Sequence, residues 1–350
     1  MSSSKDATTH DTHRDDQRRI ALITGSTDGI GLHTACSLAA SGHGVIVHGR
    51  SKDRVDEAVA RVSSVSAQGG GVVASYVRDF DSLDEVRALA RDVLDNHPRL
   101  DVLDNNAGVF EPKRFVTGDG FERTFQVNVI TPYLLTGLLL PRLATTAAAA
   151  TAATATQADT SSNVVGGGRD VRILNVASIS QTAGVQWDNL QAEKSFSDHN
   201  SYCHSKTCMK LFSFELHERI RRAAATAAAA AAAVGSEDGA TIEAGASSNS
   251  PSSSWAAALG EIVVLTCDPG TVNTKMLLAG WGPCGIETYQ ANDQFKLMTE
   301  PRFREDGARG GYHVNLSMRQ RPEGEGDATS SERKKLWEVL EQMTGFVYPI

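Results

Sequence analysis

Six short apolar runs constrain this chain more than anything else in it: residues 20–24, 45–48, 72–77, 100–104, 171–176 and 262–266. Each is too short for a helix and rich in apolar residues, with Val, Ile and Leu prominent, as expected of strands buried on both faces. Helical patterns separate them, a short run at 311–314 adds a last strand, and an amphipathic helix is expected over 332–343. Strands alternating with helices predict an α/β fold: one doubly wound parallel sheet of about seven strands with helices on both faces.

With 350 residues and 41% hydrophobic content, such a sheet can bury a sizeable core. A formal charge of −8 argues against nucleic acid or anionic lipid as the main partner. The five cysteines show no paired spacing, which suits a reducing compartment, and no Cys/His cluster has metal-ligand spacing, so no metal is expected. No apolar run approaches the roughly 18 residues needed to span a bilayer, so no transmembrane segment and a cytoplasmic location are expected. Residues 1–19 read as a disordered tail and 20–350 as one domain. Two low-complexity insertions interrupt that domain at about 144–168 and 223–260. Residues 144–168 and 235–254 lack the large apolar side chains needed to pack, although alanine propensity favours helix over 223–233.

Every chemical motif falls at the carboxyl end of a strand, where a parallel sheet opens to ligand. After the first strand comes Thr24-Gly25-Ser26-Thr27-Asp28-Gly29-Ile30-Gly31, a glycine-rich turn into a helix. Glycine there lets backbone approach a pyrophosphate, and the new helix offers free N–H groups to its charge, marking a Rossmann-type dinucleotide site. An ordinary strand–turn–helix connection is the plainer reading. The second strand ends in Gly49-Arg50, where an NAD site usually has a carboxylate, and a guanidinium suits a 2′-phosphate instead. Asp79-Phe80 follows the third strand, where the carboxylate either accepts from an adenine amino group or caps the next helix. The fourth strand runs into Asn105-Asn106-Ala107-Gly108, and the sixth into a turn from Pro269-Gly270 to Thr274.

The fifth strand delivers Ser178, and Tyr202 and Lys206 follow four residues apart. On a helix they share a face. An ammonium about 4 Å from a phenolate, at an effective dielectric of about 20, stabilises it by roughly 4 kcal/mol, about three pKa units. That would fit Tyr202 for general acid catalysis on a carbonyl, with Ser178 as a second hydrogen-bonding group. Asn128 lies inside the helix predicted over 121–143, either holding a water or facing solvent.

These motifs in this order resemble the short-chain dehydrogenase/reductase family over about residues 20–314, the two tracts excepted. The resemblance implies a catalytic tetrad of Asn128, Ser178, Tyr202 and Lys206. In it the lysine also binds the nicotinamide ribose, and the asparagine completes a proton relay through a water. It further implies cofactor contacts at Asp79, Asn106, Ala107 and Thr274. Residues 189–194 and Tyr202-Cys203-His204-Ser205-Lys206 look most like the retinol-dehydrogenase-like branch, which includes the WW-domain oxidoreductases. The chain departs from the family pattern at Ala177, where many members have serine, and at Asp28, an acid in the cofactor loop. Residues 1–19 carry no apolar run, so the branch's usual N-terminal anchor segment is not expected within them.

The expected function is an NADP(H)-dependent carbonyl reductase or alcohol dehydrogenase acting on a lipophilic small molecule. Met276, Leu277, Leu278, Trp281, Tyr289 and Trp187 would wall its pocket. A non-catalytic NADPH-binding regulator of the same fold is the alternative, and a homodimer is common in the family. A nucleotide-sugar epimerase is disfavoured by the glycine spacing.

Overall fold

The computed structural model describes residues 18–157, 170–234, 253–322 and 327–350. In chain order the elements are β1 (Ile20–Ile23), α1 (Gly29–Ala40), β2 (Gly44–Gly49), α2 (Lys52–Ser64), β3 (Gly71–Val77), α3 (Leu83–Asn96) and β4 (Val102–Asn105). A short α4 (Arg123–Phe125) passes through a π-helical turn (Gln126–Ile130) into α5 (Thr131–Gln157), and β5 (Val171–Val176) precedes the long α6 (Asp198–Val234). Then come α7 (Ser253–Ala256), β6 (Ile262–Asp268), α8 (Lys275–Gly280), α9 (Asp293–Thr299), β7 (Tyr312–Val314), β8 (Ser317–Gln320) and α10 (Ser330–Thr344).

All eight strands form one sheet in the order β3-β2-β1-β4-β5-β6-β7-β8. Seven run parallel and β8 pairs antiparallel with β7, so the expected seven-strand sheet gains an edge strand. Its four residues are all exposed, and such a strand carries no apolar run to betray it. Alternation along β1 shows how the sheet builds two cores. Leu22 faces the cluster formed with α3, α5 and α6, whereas Ala21 and Ile23 face the one formed with α1, α2 and α9. Because β1 pairs with β2 on one side and β4 on the other, the chain order reverses there. A crevice opens at the strands' carboxyl ends at such a point.

The expectation that residues from 144 onward do not pack is wrong for the first part of that tract. Helix α5 runs to Gln157, and Ala144, Ala147 and Ala150 are buried in its core-facing row, while Thr145 and Ala149 are exposed. Alanine packs here because the helix approaches Ala258 and Leu259, themselves buried in the same cluster. That packing also places the chain from 255 onward in the fold rather than in an insertion. Residues 158–169 and 235–252 lie outside the described residues, as do 1–17 of the expected tail. Arg19, however, belongs to the fold, with its guanidinium donating to the carbonyls of Met298 and Asp170.

By length and composition one helix among the described residues, spanning 123–153, could cross a membrane, and 83% of its apolar window is buried inside the fold. The sequence hides this behind the charges of Arg123 and Arg142. The C-terminal segment covers the same helix. A side chain at Gly137 would collide with Phe346 and Tyr348, and the Tyr348 hydroxyl donates to the Tyr133 carbonyl.

Candidate active site

The loop between β1 and α1 is a backbone cradle. Gly25 (φ +64°) and Gly29 (φ +54°) adopt the left-handed conformation that glycine tolerates best. A Cβ on Gly31 would lie 2.4 Å from Asn106 Nδ2 and 2.7 Å from the Gly25 carbonyl oxygen. Asn106 in turn donates to the Thr24 carbonyl at 2.8 Å, and the Ala107 N–H to Thr24 Oγ1 at 3.0 Å, clamping the β4 loop to the glycine loop. Beneath the cradle His48 is buried. Its Nδ1 accepts from the Gly25 N–H, so its Nε2 donates to the Arg78 carbonyl, and its ring stacks on Phe80 at 4.4 Å. Burial pulls its pKa down to about 4, which keeps it neutral.

A cleft of about 480 Å³ runs from this cradle past Arg50, Asp79, Phe80 and Asn106–Gly108 to Ser178, Tyr202 and Lys206, roofed by Pro269, Gly270 and Thr274. That volume falls within the range of small-molecule sites. With the close backbone approach and the N-terminus of α1, the residues fit a dinucleotide. Two expected site residues do not line the cleft. Ser26 is fully buried, its hydroxyl accepting from the His48 N–H. Asn128 is also fully buried, behind Gly108, so it does not face solvent. Asp79 does line the cleft, and it leaves the capping of α3 to Ser82.

Asn128 sits in the π-helical turn, a distortion that often marks functional positions. Its amide makes three hydrogen bonds. Oδ1 accepts from the Val109 N–H, and Nδ2 donates to the Val109 carbonyl and to Ser205 Oγ, which passes its own proton to the Tyr202 carbonyl. This chain fixes α6 at Tyr202, with Asn128 Oδ1 and Lys206 Nζ both bordering the space that Gly108 leaves by lacking a side chain.

Ser178 and Tyr202 both line the cleft, with the Ser178 Oγ accepting from the Ser180 N–H at 3.1 Å, and the Lys206 ammonium donates to the Val176 carbonyl at 2.8 Å. The electrostatics differ from the expectation of a lysine-lowered phenol. Burial raises the Tyr202 pKa above its ordinary value, Ser178 offsets only part of this, and the charge of Asp268 adds to it. Burial also brings Lys206 down to about 8, against the stabilising charges of Cys267 and Asp268. Desolvation wins because phenol and ammonium are both almost wholly enclosed.

Comparison with known proteins matches the short chain dehydrogenase family model to residues 19–165. Over that stretch the chain is similar to short-chain dehydrogenases. Retinol dehydrogenase 11 of Mus musculus is 34% identical over 206 residues, covering 58% of this chain and 57% of that protein. Polyprenol dehydrogenase of Mus musculus is 36% identical over 200 residues, covering 57% and 53%. The resemblance to the retinol-dehydrogenase-like branch therefore holds, and the chain spans little more than half the length of these relatives. A crystal structure of levodione reductase superposes with a TM-score of 0.55 over 85% of this chain and 95% of that one, at 16% identity, a likeness of fold alone.

The outer wall of the cleft comes from Met276, Leu277 and Trp281 of the α8 region, with Ile179 and Val109. The Trp281 ring lies 5.5 Å from Tyr202 and 5.0 Å from Phe110. The expected contributions of Trp187, Leu278 and Tyr289 are corrected, since none lines the cleft. Trp187 carries the Lys335 ammonium over its ring, and Tyr289 is 68% exposed. Sequence reasoning missed His48, Arg54, Arg78, Phe110 and Ser205, because long-range contacts alone bring them to the site. Among the described residues no group of three or more His, Cys, Asp or Glu side chains could hold a metal ion.

Proposed function

We propose that this protein is an NADP(H)-dependent oxidoreductase that interconverts a carbonyl and an alcohol on a lipophilic small molecule, with Tyr202 as general acid/base. One observation carries the reading: Ser178, Tyr202 and Lys206 border the same cleft as the glycine cradle. The bound nicotinamide supplies or accepts hydride. The residues supply the rest. Ser178 and Tyr202 together hold a carbonyl oxygen, and Tyr202, kept protonated by burial, gives its proton as negative charge develops there. Lys206 places a buried positive charge beneath the ring and balances the phenolate left behind. Asn128 acts on this pair as a positioning residue, through Ser205 and the Tyr202 backbone.

Arg50 supports NADP(H) over NAD(H), since it lines the cleft at the end of β2 with no carboxylate beside it in sequence. The apolar wall of Met276, Leu277, Ile179 and Trp281 supports a lipophilic substrate, in keeping with relatives named for retinol and polyprenol. The test is purified protein with NADPH and a panel of lipophilic aldehydes and ketones alongside small keto acids. Turnover of the lipophilic compounds is expected, and NADPH binding with no turnover of any of them would leave a binding protein instead of an enzyme.

A further inference from the structure

Asp28 is an acid in the loop where the site offers its backbone to a phosphate. Its Oδ1 accepts from the Gly29 N–H at 2.8 Å, at the N-terminus of the twelve-residue α1. Its Oδ2 stands 2.8 Å from Arg54 Nη2 on α2 and 2.7 Å from Lys275 Nζ at the start of α8. Arg54 and Lys275 both line the cleft and meet at the same Asp28 oxygen. Burial disfavours the charged carboxylate, but Lys275, the Gly29 N–H and Arg54 outweigh it and hold Asp28 below the usual carboxylate range.

We propose that Asp28 is a resident counter-ion of the phosphate site and sets the affinity for dinucleotide. Its carboxylate occupies three donors that a dinucleotide's phosphates would use: one at the helix N-terminus, one on α2 and one on α8. A phosphate group entering the cradle competes with Asp28 for Arg54 and Lys275 and meets a like charge at the end of α1. The protein thus neutralises its own basic groups and lowers its affinity for phosphate-bearing ligands. The inference rests on the dinucleotide reading above.

Asp28→Asn and Asp28→Ser both keep a helix-capping oxygen while removing the charge. Titration by NADPH fluorescence should show each binding about two- to fivefold more tightly than the parent protein, the effect of one screened charge near a helix end. That gain should shrink as salt is raised. Arg54→Gln should weaken NADPH binding more in the Asp28→Ser background than in the parent, because only there is Arg54 released to the phosphate. Unchanged or weaker binding in both Asp28 variants, with the parent binding NADPH or NADH normally, would overturn this proposal alone. A parent protein that binds neither nucleotide would overturn the dinucleotide reading and this proposal with it.

Discussion

Tyr202 and Lys206 stand one turn apart on α6, yet the Lys206 ammonium lies 5.6 Å from the Tyr202 ring centroid and spends a hydrogen bond on the Val176 carbonyl. The lysine therefore supports the ring from below instead of bonding the phenol. Tyr202→Phe keeps the ring, its contact with Trp281 and its packing, and deletes only the phenol hydroxyl. Carbonyl reduction should fall at least about a hundredfold, with NADPH affinity retained in a fluorescence titration. Activity within a few-fold of the parent would remove Tyr202 from the role of acid.

The pH dependence follows from the same pair. Tyr202 has a raised pKa and holds its proton through neutrality, whereas Lys206 gives up its charge near pH 8. Reduction should hold steady below that point and decline as pH rises through it, since the developing phenolate loses its counter-charge. Alcohol oxidation needs the phenol deprotonated and should gain with alkalinity until the lysine is neutral. Initial rates in both directions across the pH range measure this, and a reductive rate still climbing well above pH 8 contradicts it.

On the proposed reading, cofactor preference turns on Arg50. Replacing it with alanine would then remove a charge-assisted contact to a 2′-phosphate, worth about tenfold or more in affinity. NADPH binding should weaken by that factor while NADH binding stays within about twofold, as read by parallel titrations. Equal loss for both nucleotides would place Arg50 elsewhere on the cofactor.

Trp281 should matter to substrate and Trp187 should not. Losing the Trp281 ring from its contact with Tyr202 and Phe110 should raise the Michaelis constant for a ring or long-chain ketone by about two- to tenfold, the size of an aromatic contact. Trp187→Ala, outside the cleft, is the control. If the two variants behave alike, the wall has been misassigned.

Asp104 predicts a gain in stability. Its carboxyl is fully buried in β4, neither oxygen has a hydrogen-bond partner, and burial raises its pKa well above the ordinary value. A carboxyl with a raised folded pKa is neutral in the fold, so folding binds a proton. Stability is then greatest below the ordinary carboxylate range and falls as pH climbs toward the folded value. Asp104→Val should stabilise the protein by about 1–3 kcal/mol near neutrality and flatten that slope. Denaturant unfolding at about pH 5 and about pH 8 would check it, and a destabilised variant at both would refute it.

The seven parallel strands and the motifs at their ends were legible because buried parallel strands are apolar on both faces and their loops carry glycine. That Ser178, Tyr202 and Lys206 share one cleft was legible from the strand end before Ser178 and the four-residue spacing of the other two, taken with the remaining motifs. The direction of the Tyr202 shift was not, since spacing conveys the lysine's charge but not how deeply the phenol is enclosed. Asn128 could be noticed as a poor helix former, but its tie to Ser205 depends on α6 packing against the π-helical turn. Trp187 looked like a pocket wall from its place between Ser178 and Tyr202, and contact with Lys335 draws it elsewhere. The alanines of α5 were misread because their small side chains give no hydrophobic signal at positions where smallness is what the packing requires.

That last feature bears on how this stretch can change over time. Repetitive alanine and threonine invites gain and loss of single residues, yet each residue added to a helix rotates everything beyond it by about 100°. One extra alanine after Leu143 would swing Ala144, Ala147 and Ala150 out of their row and bring their neighbours inward, Thr145 and Ala149 among them. A tract that looks free to drift in length is held to its register by three methyl groups.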